Sequence, residues 1–362
     1  MLEAILTILF AIVLIHAIII VLAYFWEWFY AAPTCQDETS YVLTDDGWRL
    51  AVHRYRPECA VRGHPVILCH GMISNRHMFD LPGAASLARF LKKSGRDVWV
   101  AELRGSGMSA KPGLLRSDVP YSWQFQDLLH RDLPAVIKHV LDCTGAPALH
   151  WVGHSMGGLL IEAHMAANDD PHLASAAAIG SPCDFSKVRN DSFHNLLRLK
   201  WLLEVYPFFP LPFLGRVLIP FAHKLWTRAP GPFYPPNIEP QTARKVLALA
   251  SEPITSKKLW LEVAGYVASG LFAPEKGPGY MEGLSKSRVP LMTLAGSRDE
   301  MAPEAAVRAA CETGGNPVER KCMTFGKTAG CAEDYGHVDL LVGKQVESEV
   351  FPVVLRWLEG HD

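Results

Sequence analysis

Ala148–Leu149–His150–Trp151–Val152–Gly153–His154–Ser155–Met156–Gly157–Gly158 decides the fold. The first five residues are apolar apart from His150 and predict a buried strand, and Leu159 to Ala167 beyond them predicts a helix. Between the two lies G-x-S-x-G. Ser155 must then sit on a tight, strained turn, with Gly153 and Gly157 letting strand and helix approach. Its Oγ is held clear of the sheet at the C-terminal edge of the strand, where open α/β sheets bind ligands. The helix N-terminus behind it favours developing negative charge. A bare G-x-S-x-G arises by chance. Flanked by strand and helix, its serine becomes a candidate nucleophile.

Outward from this turn, strands and helices alternate. Tyr41–Thr44, Asp45–Asp46–Gly47 and Trp48–Tyr55 predict a β-hairpin. Pro65–Val66–Ile67–Leu68–Cys69 is continuously apolar, as a strand covered on both faces requires. A helix is predicted from Ala84 to Lys93, a strand over Asp97–Ala101 ending at Arg104–Gly105–Ser106–Gly107, and an amphipathic helix from Phe125 to Leu141. Further strands are predicted at Ala176–Ile179 and Val289–Ala295, and a last helix at Val350–Leu358. The alternation predicts an α/β fold with a mostly parallel central sheet and helices on both faces. It breaks over 186–287, which is rich in Pro, Phe, Trp and Leu and predicts a helical cap inserted into a core of 31–185 and 288–362.

A serine hydroxyl is a weak nucleophile without a base. G-x-S-x-G elbows keep their partners in the chain order Ser, then Asp or Glu, then His. Of fifteen histidines, His337 in Asp334–Tyr335–Gly336–His337–Val338–Asp339 fits a base on a loop near the C-terminus, whereas His361 falls in the last two residues. His154 is expected to pack beside Ser155. Asp299, in Gly296–Ser297–Arg298–Asp299–Glu300 after the strand 289–295, is the expected carboxylate that orients the imidazole, with Asp184 the alternative. Glu300 should point elsewhere, and Asp334 and Asp339 read as solvated loop carboxylates. Acyl transfer also needs oxyanion donors. The backbone N–H of Met156 is one, and the N–H of Met72 in His70–Gly71–Met72 is the expected second, with Gly71 allowing close approach.

On the elbow at 153–158 and Gly336–His337–Val338–Asp339 the chain resembles the α/β-hydrolase superfamily. Thr44–Asp45–Asp46–Gly47, His70–Gly71, Arg104–Gly105 and Asp132–Leu133–Pro134–Ala135 add a likeness to its acid-lipase-like lipase/esterase branch. The likeness covers 41–185 and 288–358. It implies the α/β-hydrolase fold and ester hydrolysis through an acyl-enzyme, with no cofactor and no metal. Epoxide hydrolase and dehalogenase chemistry is disfavoured, because both place a carboxylate where Ser155 stands.

The rest of the composition narrows the setting. The 362 residues include 35 Lys+Arg and 37 Asp+Glu, a net charge of -2, so no charge surplus exists to bind nucleic acid. With 49% hydrophobic residues the chain can bury a large core. From Ala4 to Trp26 no residue is charged; as a helix this run is about 34 Å long, enough to cross a bilayer core. Residues 1–30 therefore read as a single-pass membrane anchor. Secreted acid lipases carry a cleaved signal instead, but here the n-region has no Lys or Arg and the apolar run is long for a signal peptide. Trp26, Trp28, Phe29 and Tyr30 form a candidate aromatic belt.

In the cap, Phe193, Trp201, Phe209, Trp226 and Phe233 are interspersed with Arg198, Lys200, Arg216, Lys224 and Arg228. Such a surface could pack on the core or meet a bilayer. Eight cysteines show no metal-type spacing; Cys311, Cys322 and Cys331 are close enough in sequence to pair. The expected activity is hydrolysis of carboxylic esters with apolar acyl groups, a small-molecule or lipid ester being the substrate. An acyltransferase or thioesterase on the same three residues is the alternative, and a non-catalytic binding protein a more distant one.

Overall fold

The structure is a computed structural model that describes residues 2–112, 122–188, 215–217, 219–221, 231–252, 255–312 and 318–362. Helix α1 (Leu2–Tyr30) is followed by the hairpin β1 (Glu38–Leu43) and β2 (Arg49–Tyr55), then β3 (Val66–Cys69), α2 (Leu87–Lys93) and β4 (Val98–Glu102). A helical run follows, built from Phe125–Asp127, a wider π turn Leu128–Asp132, and α3 (Leu133–Thr144). Next come β5 (Leu149–His154), α4 (Met156–Ala167) and β6 (Leu173–Ile179). After the segment between β6 and β7, which includes α5 (Lys257–Ser269) and α6 (Tyr280–Leu284), the fold closes with β7 (Leu291–Gly296), α7 (Glu304–Glu312), β8 (Arg320–Phe325) and α8 (Phe351–Glu359).

The eight strands form one sheet in the order β1-β2-β4-β3-β5-β6-β7-β8. β1 and β2 are antiparallel to each other, β2 is antiparallel to β4, and the remaining pairs are parallel. The predicted α/β fold with a mostly parallel sheet is thus the observed one. Successive strand residues point to opposite faces, so β3 sends Ile67 and Cys69 into one core and Val66 and Leu68 into the other. Each core is sealed by helices: α3 and α4 on the first face, α2 and α8 on the second. This is why β3 reads as a continuous apolar run.

Several boundaries differ from the sequence reading: β1 begins at Glu38 rather than Tyr41 and α2 at Leu87 rather than Ala84. β6 begins at Leu173 rather than Ala176, α4 begins directly at Met156, and the periodic stretch from Phe125 is interrupted by the π turn. α1 is one helix near the N-terminus, apolar and long enough over Val13–Tyr30 to cross a membrane. Trp28 and Phe29 are exposed, while Trp26 and Tyr30 lean on the second core. Of the cap residues named above, Arg216 and Phe233 are buried and the others lie outside the described residues.

Candidate active site

Ser155 has φ +53° and ψ −117°, a left-handed conformation that non-glycine residues rarely adopt. Strain of this kind costs about 1–3 kcal/mol and persists only where the surroundings over-determine it. Here they do. Ser155 N–H donates to the Ile179 carbonyl (2.8 Å), and the Ser181 hydroxyl donates to the Ser155 carbonyl (2.8 Å). The elbow glycines leave no room for a side chain. A Cβ on Gly153 would stand 2.2 Å from the Gly157 carbonyl carbon, and one on Gly157 would stand 2.2 Å from the Cys69 carbonyl oxygen. The chain therefore turns sharply from β5 into α4, whose first N–H groups face the turn.

The loop after β3 lies against this elbow. A Cβ on Gly71 would come within 2.9 Å of Ser155 Cβ and 3.4 Å of its Oγ, so glycine there permits the approach of the 70–72 backbone. His70 is fully buried and braces the loop from behind. The N–H of Leu103 donates to its Nε2 (3.2 Å), so the proton is on Nδ1, which donates to the Gly71 carbonyl (2.8 Å). Burial pushes the His70 pKa down, which keeps the ring neutral as that pattern demands. Ile73 follows at φ +59°, a conformation seldom tolerated by a β-branched residue, and its carbonyl accepts from the N–H of Glu252 (3.0 Å). The N–H groups of Met72 and Met156 donate to no acceptor among the described residues.

His337 and Asp299 meet at the ends of the neighbouring strands. His337 Nδ1 lies 2.8 Å from Asp299 Oδ2, and both side chains are buried. Asp299 Oδ1 is held by the N–H groups of Met301 (2.9 Å) and Ala302 (2.7 Å), so the carboxylate cannot swing. A carboxylate only accepts, so the His337 proton sits on Nδ1 and Nε2 carries the free lone pair. Gly180, at φ +60°, passes so close that a Cβ there would stand 3.2 Å from His337 Nδ1.

The ring of His154 lies 4.7 Å from that of His337, centroid to centroid, and its Nε2 donates to the His337 carbonyl (3.1 Å). Burial holds the His154 pKa down at about 3, so this ring stays neutral. Ser155, His337, Asp299 and the 70–72 loop are thereby brought to one place on the sheet rim. Ser155 Oγ makes no hydrogen bond to His337 among the described residues; such contacts are often long before substrate arrives.

Asp184 is elsewhere. Its oxygens accept from Ser186 and pair with Lys187. Glu300 is exposed. Asp339 corrects the sequence reading, because it is fully buried rather than solvated. Its Oδ2 accepts from the N–H groups of Gly336 (2.9 Å) and Tyr234 (2.8 Å), tying the His337 loop to the segment before β7, while its Oδ1 has no hydrogen-bond partner among the described residues. Burial, reinforced by the nearby Asp299 charge, lifts its pKa to about 7. The sequence signal was the spacing Gly336-x-x-Asp339, a side chain reaching back to an N–H three residues earlier. Ser181 was also missed, and nothing in its sequence context marks it.

Among the described residues no cluster of His, Cys, Asp and Glu could hold a metal ion. The arrangement can activate a hydroxyl through an oriented imidazole and offer N–H donors to a developing oxyanion.

A family model described as alpha/beta hydrolase fold matches residues 64–338. Lipase 1 of Drosophila melanogaster is 38% identical over 125 residues, which is 34% of this chain and 28% of that protein. Lipase member K of Homo sapiens is 35% identical over 147 residues, covering 38% of this chain and 36% of that protein. The match thus spans roughly a third of the length of these relatives. A thermophilic esterase from Thermogutta terrifontis superposes with a TM-score of 0.59 at 20% identity, covering 90% of this chain and all of that one. At that identity the likeness concerns the fold.

Proposed function

Since the chain belongs to the alpha/beta hydrolase fold family, we propose that it is a membrane-anchored serine hydrolase of carboxylic esters with apolar acyl groups. Ser155 Oγ attacks the ester carbonyl as its proton passes to His337 Nε2. Asp299 keeps Nδ1 protonated and stabilises the imidazolium, and the N–H groups of Met156 and Met72 hold the oxyanion. One such donor is worth about 3–4 kcal/mol in the transition state. Collapse of the tetrahedral adduct breaks the ester C–O bond, and His337 gives its proton to the leaving alcohol. Water then attacks the acyl-enzyme with His337 as base, releasing the carboxylic acid and restoring Ser155.

The observation that carries this reading is the left-handed Ser155 on a β5–α4 turn, in a site where Nδ1 of His337 is 2.8 Å from Asp299. Residues 186–287 act as the cap over a core of 31–185 and 288–362, and residues 1–30 anchor it. Support for the anchor is the apolar helix Val13–Tyr30, which ends in exposed Trp28 and Phe29. Matches to lipases and an esterase favour ester substrates.

A fluorophosphonate probe tests the nucleophile: wild type is modified and Ser155→Ala is not. Labelling of neither overturns the assignment. The anchor is tested by removing residues 1–30. Hydrolysis of short soluble esters should persist while activity on bilayer lipids falls, and equal bilayer activity of the two forms refutes a role for the helix. N-terminal sequencing of the membrane-extracted protein separates an anchor from a cleaved signal.

A further inference from the structure

The described residues also enclose a cavity of about 350 Å³, lined by none of Ser155, Asp299 and His337. Its walls include Tyr24 and Glu27 from the last two turns of α1, Arg76 from the loop after β3, Lys111 from the loop after β4, and Arg216 and Glu252 from the segment between β6 and β7. Two of the cations are neutralised. Arg216 donates to Glu27 Oε2 (2.7 Å) and to the Ser251 carbonyl (2.6 Å), and Lys111 Nζ is 2.7 Å from Glu252 Oε2.

Arg76 is different. Among the described residues its guanidinium has no carboxylate in ion-pair contact; Nη1 donates to His53 Nδ1 (3.2 Å) and reaches Met108 Sδ (3.1 Å). Glu102, which also lines the cavity and whose charge is felt by Arg76, is already engaged in hydrogen bonds. Its carboxylate accepts from His53 Nε2 and from the N–H groups of Arg76 and Met108. A half-buried guanidinium with an open edge, in a cavity, is suited to a phosphate or carboxylate that can take two parallel N–H bonds.

The position of the cavity narrows the ligand. Glu27 is the first charged residue after the apolar run of α1, so Tyr24 and Glu27 mark where a spanning helix leaves hydrocarbon for headgroups. The Glu27–Arg216 pair fixes that end of the helix to the globular part. A cavity bounded by these residues opens at headgroup depth, with the apolar face of α1 running from it into the bilayer. We propose that it binds the phosphodiester headgroup of a membrane glycerophospholipid, phosphate oxygens on the Arg76 guanidinium beside the Lys111–Glu252 pair and acyl chains along α1. This rests on reading α1 as a membrane span.

The test uses the full-length chain in maltoside micelles, with dioleoyl phosphatidylglycerol added and bound lipid counted by native mass spectrometry. Wild type should retain one lipid per chain. Arg76→Gln should weaken retention at least about tenfold, as loss of a bidentate charge-assisted contact implies, and Lys111→Gln should weaken it less. Millimolar inorganic phosphate should not displace the lipid.

Equal retention by wild type and Arg76→Gln overturns the proposal, and displacement by phosphate alone overturns its lipid part. Hydrolysis of a short soluble ester reports whether each variant is folded. If Arg76→Gln is not, Lys111→Gln carries the test, and its unchanged retention overturns the site. Release of wild type from membranes by alkaline carbonate would instead mean that the span had failed.

Discussion

Asp299→Asn perturbs the site at the point where a proton's position decides everything. Oδ1 of Asp299 sits where the N–H groups of Met301 and Ala302 converge, and Oδ2 faces His337 Nδ1 at 2.8 Å. An asparagine must leave its oxygen with those two N–H groups, because turning the amide would set donor against donor. Each unmet buried donor costs about 1–3 kcal/mol. The amide NH2 then faces His337 Nδ1, which becomes an acceptor, and the ring proton moves to Nε2. In the proposed mechanism that nitrogen receives the serine proton, so the base is disabled with every atom in place.

A wrong tautomer of this kind costs about 10⁴ in kcat, or about 5.5 kcal/mol at 1.36 kcal/mol per tenfold. Turnover of p-nitrophenyl butyrate and the rate of fluorophosphonate labelling should both fall accordingly, with Tm little changed. Asp184→Asn, whose carboxylate serves Ser186 and Lys187, should leave both rates alone. If Asp299→Asn keeps turnover near the wild-type level, or Asp184→Asn loses as much, the reasoning is refuted.

Gly157→Ala should abolish labelling of Ser155, since its Cβ would lie 2.2 Å from the Cys69 carbonyl oxygen and the elbow would have to open; a labelled, active variant would contradict the tight-turn account. Asp339, with its pKa lifted to about 7, binds a proton in the folded state that the unfolded chain has released. Its contribution is present below about pH 4 and is lost as pH rises through 7, at about 1.4 kcal/mol per pH unit in that window. Asp339→Asn removes this slope, so the Tm difference between variant and wild type should grow in the variant's favour from pH 4 to pH 7.5; a constant difference would disprove the shift. Cys311 and Cys322 form a disulfide joining α7 to β8, Cα atoms 6.1 Å apart, which suits an oxidising compartment. Peptide mapping without reduction should recover the linked pair, and alkylation of both thiols in native protein would exclude it.

Legibility in the sequence followed burial. β3, β4 and β5 are covered on both faces and read directly as apolar runs, so the sheet's centre and the elbow could be placed from residues alone. β8 was not recognised: Arg320–Phe325 opens on two charged residues, shows no strict alternation and lies at a partly exposed edge, so its pairing with β7 is what makes it a strand. α7 was missed too, its buried positions being Ala306, Val307, Ala309 and Ala310, a weak apolar stripe. Gly157 and Gly158 read as loop because glycine disfavours helix, yet α4 includes both, their missing side chains allowing close contact with the β3 end and Ser181. The candidate site was legible because its residues are tied to strand ends. The burial of Asp339 was not, because no periodicity reports a polar side chain folded back onto its own loop.

Apart from His70–Gly71, the motifs that carried the branch likeness have a different job from the chemistry. Asp46, Arg104 and Asp132 come together away from the serine: Arg104 reaches Asp132 through Nε (2.8 Å) and Asp46 through Nη1 (2.8 Å), stacked over Trp48. This knits the first hairpin and the π turn to the end of β4, and removing one partner from such a buried pair costs about 3–5 kcal/mol. It is scaffolding, so likeness there reports how the sheet is held, not what substrate the site takes.

The site's own loops are fastened to the segment between β6 and β7. Glu252 N–H donates to Ile73, Asn75 Nδ2 to the Leu249 carbonyl, Val338 N–H to Pro232, and Tyr234 N–H to Asp339. Both the loop carrying Met72 and the loop carrying His337 are therefore hydrogen-bonded to that segment. A shift of the segment would move the proposed oxyanion donor and the proposed base together, so under the proposed mechanism it, rather than the shared motifs, is the part of the chain through which substrate shape can act on rate.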